Sequence, residues 1–373
     1  MRIVCISASQ VPSDSANSIQ VMKVCQAFTQ LGHVATLLVP ANPQSSITNQ
    51  QLTVHYGLAT SFPIEWLPGS RRIFPWIAVR RARTLNADLL YAWPVQSAVL
   101  GLLAGLPVML EMHDLPSGGF GPLWYRLFLR LPGRKRLLPI THALRHELER
   151  RYRPTLPEEQ VVIAPDGVDL ERYERLPDPE PARRQLSLPP GLTVVCTGHL
   201  YPGRGADLFL ALAASFPKVN FLWVGGRSQD VDEWHSRASA AGLQNVTFTG
   251  FVPNESIPLY QAAADILLMP YERIVSTSSG GNTAEICSPM KMFEYMAAGR
   301  AILSSDLPVL REVLNEDSAV FCPPGETRAW EKSLSLLLAD PKRRQALGQR
   351  ARGDVKGYSW LARARRILEN FNG

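Results

Sequence analysis

"SPMKMFEYMAAGR", Ser288 to Arg300, followed at once by "AILSSD", Ala301 to Asp306, is the stretch on which the fold turns. Ser288 suits a helix cap and Pro289 the first helical position, while Gly299 is a helix stop. A short apolar strand follows. Helix, glycine and strand in that order make half of a βαβ unit, and ligands of such sheets collect at the helix starts. Glu294 stands one turn into the helix, a lone carboxylate among Met, Phe, Tyr and Ala.

The same alternation runs outward in both directions. Toward the amino end, strands are expected at "RIVCIS", "HVATLLVP", "LTVHYG", "DLLYAW", "PVMLEMH", "LLPIT" and "QVVIAPDG", with a helix at "SIQVMKVCQAFTQLG". After Asp169 comes "LERYERLPDPEPARRQLSLPPG", charged and rich in proline, which reads as a join between domains. A second series begins at "TVVCTG" and runs through "NFLWVGG", "NVTFTGF", "DILLMP", "AILSS" and "SAVFCPP", with helices between them. One of these helices is expected at "LPVLREVLN". The tail closes on "YSWLARARRILENFNG", where Trp360, Leu361, Ala364, Ile367, Leu368 and Phe371 fall on one helical face. The pattern predicts two α/β domains with mostly parallel sheets. The boundaries are 1–170 and 171–355, with a final helix over 356–373 that returns to the first domain.

Composition narrows the classes. The 373 residues exceed one ordinary core, and 46% hydrophobic with 19% charged residues marks a folded globular chain. Neither a secretory leader nor a spanning helix is readable, so a cytoplasmic protein is expected. Cys5, Cys25, Cys196, Cys287 and Cys322 are widely spaced with no CxxC, which argues against disulfides and structural zinc. The net charge of +6 is uneven: from Leu115 to His146 there is no Asp or Glu. No nucleic-acid recognition motif accompanies that excess.

Four stretches carry candidate chemistry. In "TGHLYPGRGAD", Gly198, Gly203 and Gly205 allow close backbone approach and Arg204 adds a cation at a helix start, either a phosphate cradle or a plain βα turn. In the opening stretch, either the backbone near Met290 and Lys291 holds a diphosphate and Glu294 accepts both hydroxyls of a ribose, or Ser-Pro is a plain helix start and Glu294 a solvated first-turn acid. In "LEMHDLPSGG", a strand ends at Glu111, His113 and Asp114, where doubly wound sheets meet their ligands, so His113 either touches a substrate or is merely structural. The long loop "ASQVPSDSANSIQ", with Asn17 and Ser18, can reach over a bound sugar or serve as a solvated turn.

Seven segments in this order carry a resemblance: "LGHVATLLV", "EMHDLP", "IAPDGVDLERY", "GHLYPGRGAD", "VTFTGFVPNESIPLYQAAADILLMP", "SPMKMFEYMAAGRAILSSDLPVLREVL" and "YSWLARARRIL". The chain resembles, over nearly its whole length, the retaining glycosyltransferases of the GT-B fold, in particular the sugar-nucleotide-dependent transferases of family 4. The resemblance implies two Rossmann-like domains facing across a cleft, with the nucleotide on the second and the acceptor mainly on the first. It implies that Glu294 binds the donor ribose, that Arg204 at Gly203 binds the diphosphate, and that Phe251 and Val252 border the base. His113 would touch the transferred sugar, with Asp114, Asn17 and Ser18 beside it.

The chain departs from the family pattern in three places. A first glutamate eight positions before Glu294 is replaced by Ile286, leaving Glu285 one residue earlier. His199 stands where an arginine is common, which passes a share of the phosphate charge to Lys291. A Gly-Gly pair in the first loop is replaced by "DSANS". The donor implied is a UDP- or GDP-sugar, as substrate rather than cofactor, with no metal. The acceptor implied is a sugar or a lipid-linked hydroxyl. Residues 121–138 are basic and flanked by aromatics, suited to peripheral contact with an anionic membrane. Against this reading stand a catalytically silent nucleotide-sugar-binding partner and an epimerase or phosphorylase of the same fold.

Overall fold

The computed structural model describes residues 1–42, 47–274 and 284–371. The chain divides into two compact units, Met1–Asp166 with Trp360–Gly373, and Gly167–Ser359. The second unit is thus inserted between the body of the first and its last helix. The proline-rich segment after Asp169 belongs to the second unit, where Ala182 packs on Ala262 and Ala263 and Arg183 pairs with Asp265 at 3.0 Å.

The first unit opens with β1 (Arg2–Ile6), α1 (Ala16–Gln30), β2 (Val34–Pro40), α2 (Asn49–Tyr56) and β3 (Ile64–Leu67). It continues through α3 (Phe74–Thr84), β4 (Leu89–Ala92), α4 (Val95–Leu103) and β5 (Val108–Met112). Then come α5 (Gly121–Arg130), β6 (Lys135–Pro139) and α6 (His142–Arg151). The strand order is β3-β2-β1-β4-β5-β6, and every pairing is parallel. Right-handed crossovers put α1 and α2 on one face and α3, α4 and α5 on the other.

The second unit holds α7 (Pro179–Gln185), β7 (Thr193–Thr197), α8 (Ala206–Ser215), β8 (Asn220–Val224), α9 (Ser228–Ala240) and β9 (Val246–Phe248). It goes on with α10 (Ile257–Ala262), β10 (Ile266–Met269), α11 (Met290–Ala298), β11 (Ala301–Ser305) and β12 (Val320–Cys322). Two helices, α12 (Thr327–Ala339) and α13 (Pro341–Asp354), complete it, and α14 (Trp360–Leu368) returns to the first unit, where it packs on α1. The order β12-β11-β10-β7-β8-β9 is again all parallel. Its core joins Val194, Phe209, Phe221, Trp223, Leu268 and Trp330.

Three expected elements differ. "LTVHYG" is the end of α2, not a strand: Thr48 and Gln51 form a reciprocal cap and Gly57 closes the helix at φ 57°. Leu52 and Tyr56, four apart, are its buried pair, and this spacing outweighs the β-branched Thr53 and Val54. "QVVIAPDG" contributes one isolated bridge, Val161 with Leu137. "LPVLREVLN" forms turns, with Val309, Leu310 and Leu314 buried. At the opening stretch, Pro289 rather than Ser288 occupies the cap position, because its ψ of 121° is extended and the helix begins at Met290.

Candidate functional site

In the second unit the strand order reverses between β7 and β10, so the loops leaving those two strands flank the place where doubly wound sheets bind ligands. The loop after β7 holds Gly203, Arg204 and Gly205. Gly205 has φ 81°, and a Cβ there would lie 2.0 Å from the Pro270 carbonyl, so only glycine lets this loop close on the end of β10. The Glu272 amide then donates to Gly203 O at 3.0 Å. The contact brings Arg204 to Tyr271, whose hydroxyl accepts from Nη1 at 2.7 Å.

Lys291, in the first turn of α11, reaches the same ring, with Nζ 5.0 Å from its centre. Its Nζ is 4.0 Å from Cys196 Sγ, at the end of β7. A buried tyrosine thus carries two cations beside the start of a helix, a set of positive charge suited to a diphosphate. His199 stacks on Tyr201 at 4.9 Å, and Arg227 donates to the Tyr201 hydroxyl at 3.0 Å.

One turn along α11, Glu294 is half-buried and its Oε2 accepts from Gln261 Nε2 at 3.1 Å. Gln261 is itself fixed by the Tyr173 hydroxyl at 2.9 Å. Phe251 follows β9 and is 53% exposed, with Val252 half-buried next to it. Glu285 is exposed, while Ile286 is turned into the interior.

In the first unit β5 carries an ionisable side chain inside the sheet. Glu111 is buried and accepts from Gln20 Nε2 at 2.5 Å, from His113 Nε2 at 2.6 Å and from the Tyr91 hydroxyl. Arg363 on α14 completes the set, with Nη2 2.8 Å from Glu111 Oε1. His113, just past the strand, keeps 24% of its side chain exposed. Asp114 caps the turn locally through Leu115 N at 2.7 Å. Asn17 is exposed, whereas Ser18 is buried, with its hydroxyl 2.5 Å from that of Tyr56 and 3.0 Å from Gln10 O. Ser18 therefore holds the first loop in place and presents nothing outward.

The charges in this cluster are mutually set. Burial pushes the Glu111 carboxyl up, but Arg363, His113 and Tyr91 outweigh it and hold it at about 2. Burial raises the carboxyl of Asp166 to about 6 against the pull of His113 and Arg363. Desolvation disfavours the His113 imidazolium, yet the hydrogen bond and charge of Glu111 and the charge of Asp166 raise it overall. An ionised Glu111 only accepts, so His113 Nε2 donates, and neutral His113 keeps its acceptor at Nδ1. Glu111, His113 and Asp166 bring one ligand atom each within 4.8 Å of one another. A guanidinium already serves that carboxylate, which fits a charge-balanced network better than a metal centre.

The structure therefore brings together Gly203, Arg204 and Lys291, and places Met290 at the start of the same helix. It places His113 and Asp114 at one strand end of the other unit. Sequence reading did not single out Tyr271, Gln261, Tyr173, Asp166 or Arg363, whose partners lie far off in the chain. Among the described residues no helix is long and apolar enough to cross a membrane.

Two family models match the chain, Glycosyltransferase Family 4 over residues 18–172 and Glycosyl transferases group 1 over residues 191–340. The first contains Glu111, His113 and Asp166; the second contains Arg204, Tyr271, Lys291 and Glu294. The chain belongs to the family 4, group 1 glycosyltransferases. Members move a sugar from a nucleotide-sugar donor to an acceptor. This glycosyltransferase is 26% identical to the phosphatidyl-myo-inositol mannosyltransferase of Mycolicibacterium smegmatis, over all of this chain and 95% of that protein. It is 28% identical to a GDP-mannose-dependent α-(1-6)-phosphatidylinositol monomannoside mannosyltransferase of the same organism, over 56% of this chain and 55% of that one. The chain spans about half the length of this second relative. Its two-unit GT-B fold matches Anabaena Alr3699/HepE in complex with UDP, with TM-score 0.77, 18% identity and all of both chains covered. WaaG, a glycosyltransferase involved in lipopolysaccharide biosynthesis, matches with TM-score 0.68 and 15% identity over 99% of this chain and all of that one.

Proposed function

We propose that this glycosyltransferase moves a hexosyl group from a UDP- or GDP-sugar to a hydroxyl of a sugar or lipid-linked acceptor, with retention at the anomeric carbon. The observation that carries the reading is the pair of cations, Arg204 and Lys291, gathered on Tyr271 beside the first turn of α11. As the bond between the anomeric carbon and the diphosphate breaks, negative charge grows on the leaving oxygen. Arg204, Lys291 and the helix start meet it without reorganising. The acceptor oxygen bonds to the same face of the carbon, and its proton passes to the departing phosphate. Glu294 takes the ribose hydroxyls, Phe251 and Val252 border the base, and His113 touches the transferred sugar.

The acceptor is proposed to be offered at an anionic membrane surface. On α5, Leu123 and Leu127 are exposed at 61% and 38%, with Phe120 before them at 72%, while Arg126 and Arg130 flank them. In the same helical layer, on the far side of α4, α3 exposes Trp76 at 60%. Neither 67–87 nor 115–146 contains an acid. Exposed apolar side chains within an acid-free basic layer suit an interface of anionic lipid.

A panel of UDP-, GDP- and ADP-hexoses tests the donor by thermal shift, since a specific ligand raises the melting temperature with its concentration above Kd. Proton NMR of the product from the best donor reads the anomeric configuration. No stabilisation by any nucleotide sugar, or an inverted product, would sink the reading.

A further inference from the structure

The Glu111 cluster is completed from the far end of the chain. Arg363 is 1% exposed and spends its guanidinium on four partners. Besides Glu111, Nε donates to Pro165 O at 2.9 Å, Nη2 to Ala164 O at 3.1 Å and Nη1 to the Tyr91 hydroxyl at 3.4 Å. Both family matches end before it, at residues 172 and 340. An apolar side chain would pack α14 without the cost of desolvating a cation. The partners give the arginine its purpose: it ties the strand that presents His113 to the backbone directly before Asp166.

We infer that Arg363 is a positioning residue for sugar transfer, holding Glu111 so that His113 donates through Nε2 and offers Nδ1 as an acceptor to the substrate. The inference rests on the proposed role of His113. The groups facing the imidazole are Glu111 from β5, Asp166 from the end of the unit and Arg363 from α14, with Tyr91 of β4 and Gln20 of α1 acting through Glu111. Removing the guanidinium takes one positive charge from a buried site, which then binds one more proton. A proton on His113 makes imidazolium. A proton on Glu111 turns it into a donor to Nε2 and moves the imidazole proton to Nδ1. Either of these removes the acceptor at Nδ1, whereas a proton taken up by Asp166, whose carboxyl Arg363 also holds down, leaves that acceptor and the wild-type His113 spectrum in place.

The test is 15N NMR of histidine-labelled protein near pH 8, with His113 assigned by the signal missing from His113→Gln, and folding followed by circular dichroism. The wild type should show the Nε2–H form. Arg363→Met should lose it and Arg363→Lys should keep it, because the ammonium preserves the charge. With a nucleotide sugar, Arg363→Met should lower kcat by ~10–100-fold, as loss of a ligand-orienting partner does, with donor KM nearly unchanged. A folded Arg363→Met with the wild-type His113 spectrum overturns the inference. Should that variant not fold, Arg363→Lys and Glu111→Gln decide. Arg363→Lys should transfer more slowly than wild type, and Glu111→Gln should move the His113 titration to lower pH. A wild-type His113 titration in Glu111→Gln overturns the inference. The spectra judge Arg363 whether or not a donor is found, and absence of transfer by the wild type counts against the proposed function alone.

Discussion

Arg204 holds Tyr271 in two ways at once: Nη1 donates to the phenol oxygen at 2.7 Å, and the guanidinium carbon stands 4.9 Å from the ring centre. The two contacts can be separated. Tyr271→Phe keeps the ring and loses the hydroxyl, and should weaken nucleoside-diphosphate binding by roughly fivefold, about 1 kcal/mol. Tyr271→Leu also loses the surface on which Lys291 rests, and should cost a further ~1–2 kcal/mol. Calorimetric titration at one fixed salt concentration measures both. Wild-type affinity in the leucine variant would refute the shared platform.

Glu294 is proposed to take the ribose hydroxyls. Glu294→Gln should therefore weaken binding of a ribonucleoside diphosphate by about tenfold, the scale of one charged hydrogen bond. The 2′,3′-dideoxy analogue has no hydroxyls to lose and should bind both proteins alike. Equal losses for the two ligands would remove the carboxylate from that role.

Asp166 makes stability depend on pH in a direction opposite to an ordinary paired carboxylate. In the unfolded chain its proton leaves near 3.8, and in the folded protein only near 6. Between these values the unfolded state binds fewer protons, so stability falls as pH rises and stays lost above 6. Asp166→Asn carries no such loss, and should exceed the wild type by up to about 3 kcal/mol at pH 7.5, with the gap closing near pH 4. Glu111 acts the other way: its stabilisation is present above 4.5 and disappears as pH falls toward 2. Urea unfolding of both proteins across this range tests the sign. A gap that grows on acidification would reject it.

The exposed face of α5 should bind vesicles containing anionic lipid, and the double variant Leu123→Glu, Leu127→Glu should abolish sedimentation with them. Arg126→Ala and Arg130→Ala should each cost about 1 kcal/mol of partitioning at low salt. Equal recovery of wild type and double variant in the supernatant would leave this face without a lipid partner.

Alternation of apolar runs made both sheets legible, since a parallel strand buried on both faces reads as a continuous apolar segment, as "TVVCTG" does. Where two local signals competed, the weaker-looking one won: at Asn49–Tyr56 a cap and a glycine stop overruled β-branched residues. The glycines and the arginine of the proposed phosphate site were visible because one loop carries Gly203, Arg204 and Gly205 together. The platform beneath them was not, because Tyr271 arrives from another strand. Arg363 shows the limit most clearly. On the tail helix it stands among other arginines between Trp360 and Ile367 with no sequence signal of its own, and only its distant carboxylate partner explains why it is buried.

The insertion of one unit inside the other has a consequence for synthesis. Arg363 and Tyr91, hydrogen-bonded in the folded protein, are 272 positions apart in the chain. At ~5–20 residues per second the ribosome needs roughly 15–50 s between delivering the two. Throughout that interval the nascent first unit holds Glu111 with no guanidinium, so its β5 strand must stay open to water or take up a proton. The charge balance of the Glu111 cluster is thus among the last things translation completes, and a chain released early lacks it.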